Sequence, residues 1–261
     1  MPQVPATPAR PGLSVIVITK NEEAVIRRCL ESVQWADEII VVDSGSTDRT
    51  LAIAAELNAK TFTADWQGPG PQRNRAISHA TREWVLALDA DEWVSPQLRD
   101  EILAVIQRPG PNVGYRIPRL SSYCGRFMRH GGWWPDYISR LFRRGAARYS
   151  DGIVHDHLLP DGPMGKLKQH LLHETYRSLE QMLNKINTYS TPGALMLQQQ
   201  GRRASLATAI GHGTWAFFRT YVLRAGFLDG REGFMLAVSN AEASYYKYLK
   251  LMLLAERSGN E

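Results

Sequence analysis

No stretch of the 261-residue chain reaches the roughly 18 uninterrupted apolar residues that a membrane-spanning helix requires. Residues 204–218 come nearest, but His212 interrupts them and Arg219 and Arg224 follow. Cysteine is scarce: Cys29 and Cys124 stand in unrelated contexts with no metal-ligand spacing, which points to a reducing compartment without a disulfide. The opening MPQVPATPARPG has no apolar centre and is rich in proline, so residues 1–12 are expected to be a flexible lead-in and not a signal peptide. No Gly-x-Gly-x-x-Gly follows the first apolar run, where the chain reads TKNEE, and this disfavours a dinucleotide fold. The glycine-lysine phosphate loop of nucleoside triphosphatases is absent too. Between Arg116 and Ser150 there is no lysine and one acid, Asp136, against eight arginines, so the net charge of +5 is unevenly spread. Arginine suits bidentate contacts with phosphate or carboxylate, so the segment reads either as a solvated basic face or as the seat of an anionic partner, nucleic acid being one candidate among several.

What is present is a regular alternation over the first ninety residues. LSVIVIT, EIIVVD, KTFTADW and EWVLALD read as strands. Between them, NEEAVIRRCLESV places Val25, Ile26, Cys29, Leu30 and Val33 on one helical face. STDRTLAIAAELN reads as a second helix with Ser46 or Thr47 as N-cap, and PQRNRAISHAT as a third. Strand–helix–strand spacing of this kind predicts an α/β fold with a mostly parallel sheet flanked by helices, and ligands bind such sheets beyond the carboxyl ends of the strands. Short strands and a long functional loop are expected over 109–165, and from Ser178 onward the chain turns helical. The expected organisation is an α/β domain over 13–177, divided at residue 100, and a helical extension over 178–261. That extension either packs on the core or lies on a membrane with Trp215, Phe217, Phe218 and Tyr221 toward lipid.

The stretch WVLALDADEWVSPQL, Trp84 to Leu98, gathers Asp89, Asp91 and Glu92 at the tip of an apolar strand. An acid-x-acid pair there suits a hard divalent cation, Mg²⁺ or Mn²⁺, which takes oxygen ligands from one or two carboxylates and completes its shell with substrate phosphates. Glu92 is expected to do no more than cap the next turn. A lone pair of this kind is common by chance.

VIVITKNEE, IIVVDSGSTDRT, GPGPQRNRAI and LALDADEW, in this order and spacing, resemble glycosyltransferase family 2 with the GT-A fold. Further along, GGWWPDYISRLFRR, GIVHDHL, HETYRS and NKINTYS look like the subgroup of lipopolysaccharide and lipooligosaccharide core β-1,4-glucosyltransferases, which move glucose from UDP-glucose to an inner-core heptose. The resemblance implies that Thr19, Asn21 and Glu22 lie beside the nucleotide and that Asp43 meets the uracil N–H. It implies that Gln72 and Arg73 approach the ribose and diphosphate, and that Asp89 and Asp91 form the donor-binding acid pair, Asp91 as metal ligand. His173, in LLHETY, matches a histidine placed near the metal, although a histidine after two leucines otherwise reads as a core residue.

An inverting transfer also needs a carboxylate that takes the proton of the acceptor hydroxyl. The resemblance points to Asp156, where relatives usually carry glutamate, with Asp136 as its rival. The acceptor implied is a lipid-linked anionic saccharide, met by the arginine-dense segment, including Arg140 and Arg143, while Trp133 and Trp134 stack on sugar faces. A cytoplasmic protein, peripheral on the inner face of the cytoplasmic membrane, follows from that acceptor, and nucleic acid is then not expected as a partner. Alternatives are another donor sugar, a polyprenyl-phosphate acceptor, or a non-catalytic basic binding module on the same fold.

Overall fold

The computed structural model describes residues 11–151 and 156–258, so most of the expected lead-in lies outside the described residues. The chain divides into two compact units, Met1–Arg119 with Asp136–His173, and Leu120–Pro135 with Glu174–Glu261. In chain order the first part runs β1 (Leu13–Thr19), α1 (Ile26–Glu31), β2 (Glu38–Asp43), α2 (Thr50–Glu56), β3 (Lys60–Thr63), α3 (Pro69–His79), β4 (Trp84–Asp89), β5 (Glu92–Val94) and α4 (Pro96–Gln107). There follow β6 (Gly114–Tyr123), β7 (Arg126–Phe127), β8 (Asp136–Arg143), β9 (Ala147–Tyr149), β10 (Leu158–Pro160), β11 (Met164–Lys166) and β12 (Leu171–Tyr176). The long helices α5 (Leu179–Gln199), α6 (Leu206–Phe218) and α7 (Gly230–Ser258) close the chain.

The main sheet has the strand order β3-β2-β1-β4-β8-β6-β12-β5. Its first four strands are parallel, as the intervening helices require, since a parallel pair needs a crossover connection. Beyond β4 the chain supplies no crossover helix between β6 and β8, and these pair antiparallel with each other, as β8 does with β4. The segment expected to hold short strands and a long loop therefore contributes two of the longest strands.

Alternation along β1 divides the core of the first unit. Leu13, Val15 and Val17 join Ile26, Cys29 and Leu30 of α1 and Leu98, Ile102 and Ile106 of α4 in one cluster. Ile16, with Ile40, Val42, Val85 and Ala87, belongs to a second cluster with Ala76 of α3. Helices thus cover both faces, and the buried strands read as near-continuous apolar runs for that reason. The α1 helix is shorter than its apolar face suggests, although Val25 and Val33 at its margins are buried as predicted. Neither Ser46 nor Thr47 caps α2: its N-cap is Arg49, which makes no side-chain cap bond.

Residues 120–135 cluster with the C-terminal helices and not with the sheet domain in which they were expected. The reason is apolar packing: Tyr123 and Met128 are buried with Met182, Ile186 and Leu236. Polar bonds add to this, between Tyr123 Oη and Ser239 Oγ at 2.9 Å and from the Arg129 and His130 amides to Asp229 Oδ2 at 2.9 and 2.7 Å. On α6 and the turn after it, Trp215, Phe218, Val222 and Leu223 are exposed; of the four residues that the membrane alternative turns to lipid, Trp215 and Phe218 are therefore at the surface, while Phe217 and Tyr221 pack their rings against Phe234. No described helix is long and apolar enough to cross a membrane.

Candidate active site

Parallel register brings the carboxyl ends of separate strands to one edge. Thr19 of β1 pairs with Asp43 of β2, and Ile18 pairs with Asp89 of β4. The loops there are tied together: Asn21 accepts from the Thr47 amide at 2.8 Å and donates its own amide to Ser46 Oγ at 2.8 Å. The Glu22 amide donates to Thr50 Oγ1 at 2.8 Å. Asp43 is fully buried; its Oδ2 accepts from the amides of Gly45 and Ser46 at 2.8 Å each, and its Oδ1 from the Ser46 hydroxyl. Those bonds fold the turn after β2 and leave Asp43 Oδ1 with a single donor. The hydroxyl of Thr19 is buried with no partner.

The start of α3 enters the same region. Gln72, fully buried, donates to Ser44 Oγ at 2.9 Å. Two residues earlier, Gly70 sits so close to the Ser150 carbonyl that a Cβ would overlap it, with Asp156 Cβ next in line. Only glycine lets the helix approach this segment, and the approach is what delivers Arg73. Its guanidinium bridges the carboxylates of Asp89 and Asp156, which are far apart in sequence. Arg140 of β8 reaches Asp89 from its other side and Glu92 Oε1 at 3.1 Å. Glu92 is fully buried, takes Arg119 at 3.3 Å and accepts the Asp89 amide at 2.9 Å. It therefore does more than cap a turn, and the N-cap of α4 is Ser95, which accepts from the Leu98 amide.

Burial opposes ionisation of Asp89, but the flanking guanidinium groups of Arg140 and Arg73 outweigh it and hold the carboxyl well below the usual carboxylate range. Burial equally opposes the charge on Arg140 and Arg73, and Asp89 overrides it, so both stay protonated. Burial pushes the Tyr149 phenol up, with Arg140 and Arg73 opposing, and the Arg73 guanidinium lies 5.2 Å from the Tyr149 ring centre. These groups line a cavity of about 550 Å³ together with Arg116, Arg119 and His157. The Nε atoms of Arg73 and Arg140 are buried there without a partner. Burial also holds the Cys29 thiol well above its ordinary range, so it offers no thiolate chemistry.

One predicted pair meets beside this network: His173 Nε2 lies 3.3 Å from Asp91 Oδ2, because β12 pairs antiparallel with β5 and aligns His173 with Glu92. Other predicted residues are placed differently. Asp136 is held by Arg119 at 2.7 Å and does not line the cavity that Asp156 lines. Arg143 is not at this edge: it aligns with Trp84 at the opposite end of β4 and pairs with Glu83 at 2.7 Å. Trp84 and Asp89 are five residue steps apart along the strand, about 16 Å of extended chain. Trp133 and Trp134 belong to the second unit, where Trp133 packs edge-on against Tyr123 and Trp134 lies under Arg129 at 5.9 Å. Arg119 and Glu92 fell within stretches that the sequence marks out, but Tyr149 had no local signal, and the roles of all three come only through partners brought in by the sheet.

Residues 14–159 match the model of the family described as Glycosyl transferase family 2. The chain belongs to this family. An uncharacterised glycosyltransferase of Rickettsia typhi is 33% identical over 260 residues, covering 95% of this chain and 89% of its own length. The lipopolysaccharide core biosynthesis glycosyltransferase LpsC of Rhizobium meliloti is 29% identical over 251 residues, covering 92% and 91%. Among solved structures, S. aureus TarS 1–349 in complex with UDP aligns at 18% identity with a TM-score of 0.49, covering 95% of this chain and 92% of that one. As a family 2 member the protein is a glycosyltransferase, and its α/β domain has the GT-A architecture with a helical region after it.

Proposed function

We propose that this family 2 enzyme transfers glucose from UDP-glucose, with inversion, to an inner-core heptose of lipopolysaccharide. The observation that carries the reading is the convergence, at one sheet edge, of Asp91 with His173 and of Asp89 with Arg73, Arg140 and Asp156. Asp91 and His173 offer one carboxylate and one imidazole, a donor set that suits Mn²⁺ and leaves positions for diphosphate oxygens and water. The cation supplies Lewis-acid stabilisation of the leaving diphosphate when bound. Thr19, Asn21, Glu22, Asp43 and Gln72 surround the nucleotide in this reading. Arg73 and Arg140, already protonated and held in place, contribute fixed positive charge toward the phosphates at no cost of reorganisation.

Asp156 takes the proton from the acceptor hydroxyl as that oxygen bonds to the sugar C1 and the C1–O bond to the diphosphate breaks. Asp156 is favoured over Asp136 because it shares the cavity with Asp89. LpsC supports a lipopolysaccharide core acceptor. A lipid-linked acceptor also gives a use to the exposed Trp215, Phe218, Val222 and Leu223, which would rest on the inner face of the cytoplasmic membrane.

The test is a thermal-shift and transfer panel of UDP-glucose, UDP-galactose and UDP-N-acetylglucosamine with Mn²⁺, Mg²⁺ or chelator. A donor at about a hundred times its dissociation constant adds roughly 2.7 kcal/mol of stability. UDP-glucose is expected to stabilise the wild type only with metal, and Asp91→Ala is expected to remove both the shift and turnover. Equal stabilisation in chelator, or an unaffected Asp91→Ala, would sink the metal-dependent reading; a larger shift with another sugar would replace the donor.

A further inference from the structure

The second unit contains its own cavity of about 490 Å³, lined by Trp133, Tyr189 and the cations Arg219, Arg224 and Lys247 among others, with no aspartate or glutamate in its wall. Among the described residues none of these three cations has a carboxylate partner, and none has a side-chain hydrogen bond such as those that engage the nearby Lys250 ammonium on Asn187, Ser190 and Thr191. Like charges converging without compensation repel, and protein surfaces tolerate this where an anion is to be bound.

The backbone around the two arginines is irregular. Gly132, at φ +87°, lies so close to the Arg224 guanidinium that a Cβ would overlap Nη1, and the Gly131 amide donates to the Arg224 carbonyl at 2.9 Å. Arg219 opens a π-helical turn, Arg219–Leu223, of the kind that recurs at functional sites. Behind it the chain passes through a left-handed Ala225 at φ 54°, a strained conformation for a residue with a side chain. Thr220, on that turn, is buried and accepts from Asn240 at 3.3 Å, so the widened turn is fixed to α7.

We infer that this cavity binds a phosphorylated saccharide. The two guanidinium groups and the Lys247 ammonium match a phosphate monoester, and the Trp133 and Tyr189 rings offer apolar faces to a sugar ring. The volume lies within the range of small-ligand sites, about 300–1,000 Å³. The saccharide half of the inference rests on the transferase reading; the phosphate half rests on the cations alone.

Isothermal titration of the full chain with mannose 6-phosphate, mannose and inorganic phosphate tests it, in saturating UDP and Mn²⁺ so that the donor site is filled. The heat of UDP addition in the same samples reports the donor reading separately. Wild type is expected to bind mannose 6-phosphate saturably at one site, more tightly than phosphate, with no response to mannose. The exposed pair Arg219→Ala with Arg224→Ala should weaken binding at least tenfold, and Arg224→Lys should recover part of it. Equal binding by the double variant, or mannose binding as well as its phosphate, would overturn the inference, as would inorganic phosphate binding as tightly as the sugar phosphate. Sedimentation with phosphatidic acid vesicles forms the other arm. Vesicle binding lost in the double variant, with no binding of the soluble sugar phosphate, would assign the arginines to lipid headgroups and overturn the inference also.

Discussion

Arg73, Arg119 and Arg140 in the first unit each hold at least one carboxylate, and Arg73 and Arg140 are almost wholly buried while doing so. Arg219, Arg224 and Lys247 in the second unit share a cavity wall that contains no acid. A buried arginine between carboxylates has its position fixed by the cost of leaving either partner alone, so it can orient chemistry before any ligand arrives. An arginine with no acid to hold it contributes attraction instead of position. The same side chain therefore serves preorganisation in one unit and capture in the other.

The sharpest way to break this contrast is to remove the cation at the centre of the first network. Arg140→Met leaves Asp89 and the fully buried Glu92 with a guanidinium fewer between them. Breaking a buried pair from one side costs about 3–5 kcal/mol. Urea unfolding followed by circular dichroism should show a loss of that size. A loss below about 1 kcal/mol would mean the network relaxes freely, and the claim of preorganisation would fail.

Glu38 sharpens the contrast through pH. Burial opposes its ionisation, but hydrogen bonds from Lys60, Ser14 and Thr81 outweigh burial and bring its carboxyl down to about 2. A carboxyl whose folded value lies below its unfolded one stabilises the fold above the unfolded value, and that stability drains away as pH falls toward the folded one. Between pH 6 and 3 wild type should lose about 2 kcal/mol from this group, which Glu38→Gln should not lose. Parallel stability curves for the two proteins over that range would remove Glu38 from the account.

The parts of this arrangement that were legible in the sequence are those set by local pattern. Four apolar runs ending in polar residues announced β1, β2, β3 and β4 and the edge where Thr19, Asp43 and Asp89 meet. Strand direction and register beyond β4 were not legible, and the misplaced residues follow from that. Because β8 runs antiparallel to β4, its earlier residue Arg140 reaches Asp89, while Arg143, three residues on, ends beside Trp84. Glu92 looked like a turn residue because Arg119 and Arg140, which give it a role, come 27 and 48 residues later. Nothing local announced that Tyr123 and Tyr176 would meet the Trp133 ring and set it in a cavity wall of the second unit.

The smallest expected effect bears on the second unit and tests the contrast from the other side. If Arg219 and Arg224 hold nothing in the folded protein, converting both to alanine leaves no carboxylate unpaired, and both side chains are exposed. Substitutions of this sort usually change stability by no more than about 0.5 kcal/mol. The sign should be slightly favourable at low salt, because one source of repulsion with Lys247 is gone. Added salt screens such repulsion, so wild type should gain more stability from 0.01 to about 0.15 M salt than the double variant does. Thermal unfolding at the two salt concentrations measures both quantities. A loss above 1 kcal/mol, or identical salt dependence, would show that these arginines are structural after all, and positive charge would then serve one purpose throughout the chain.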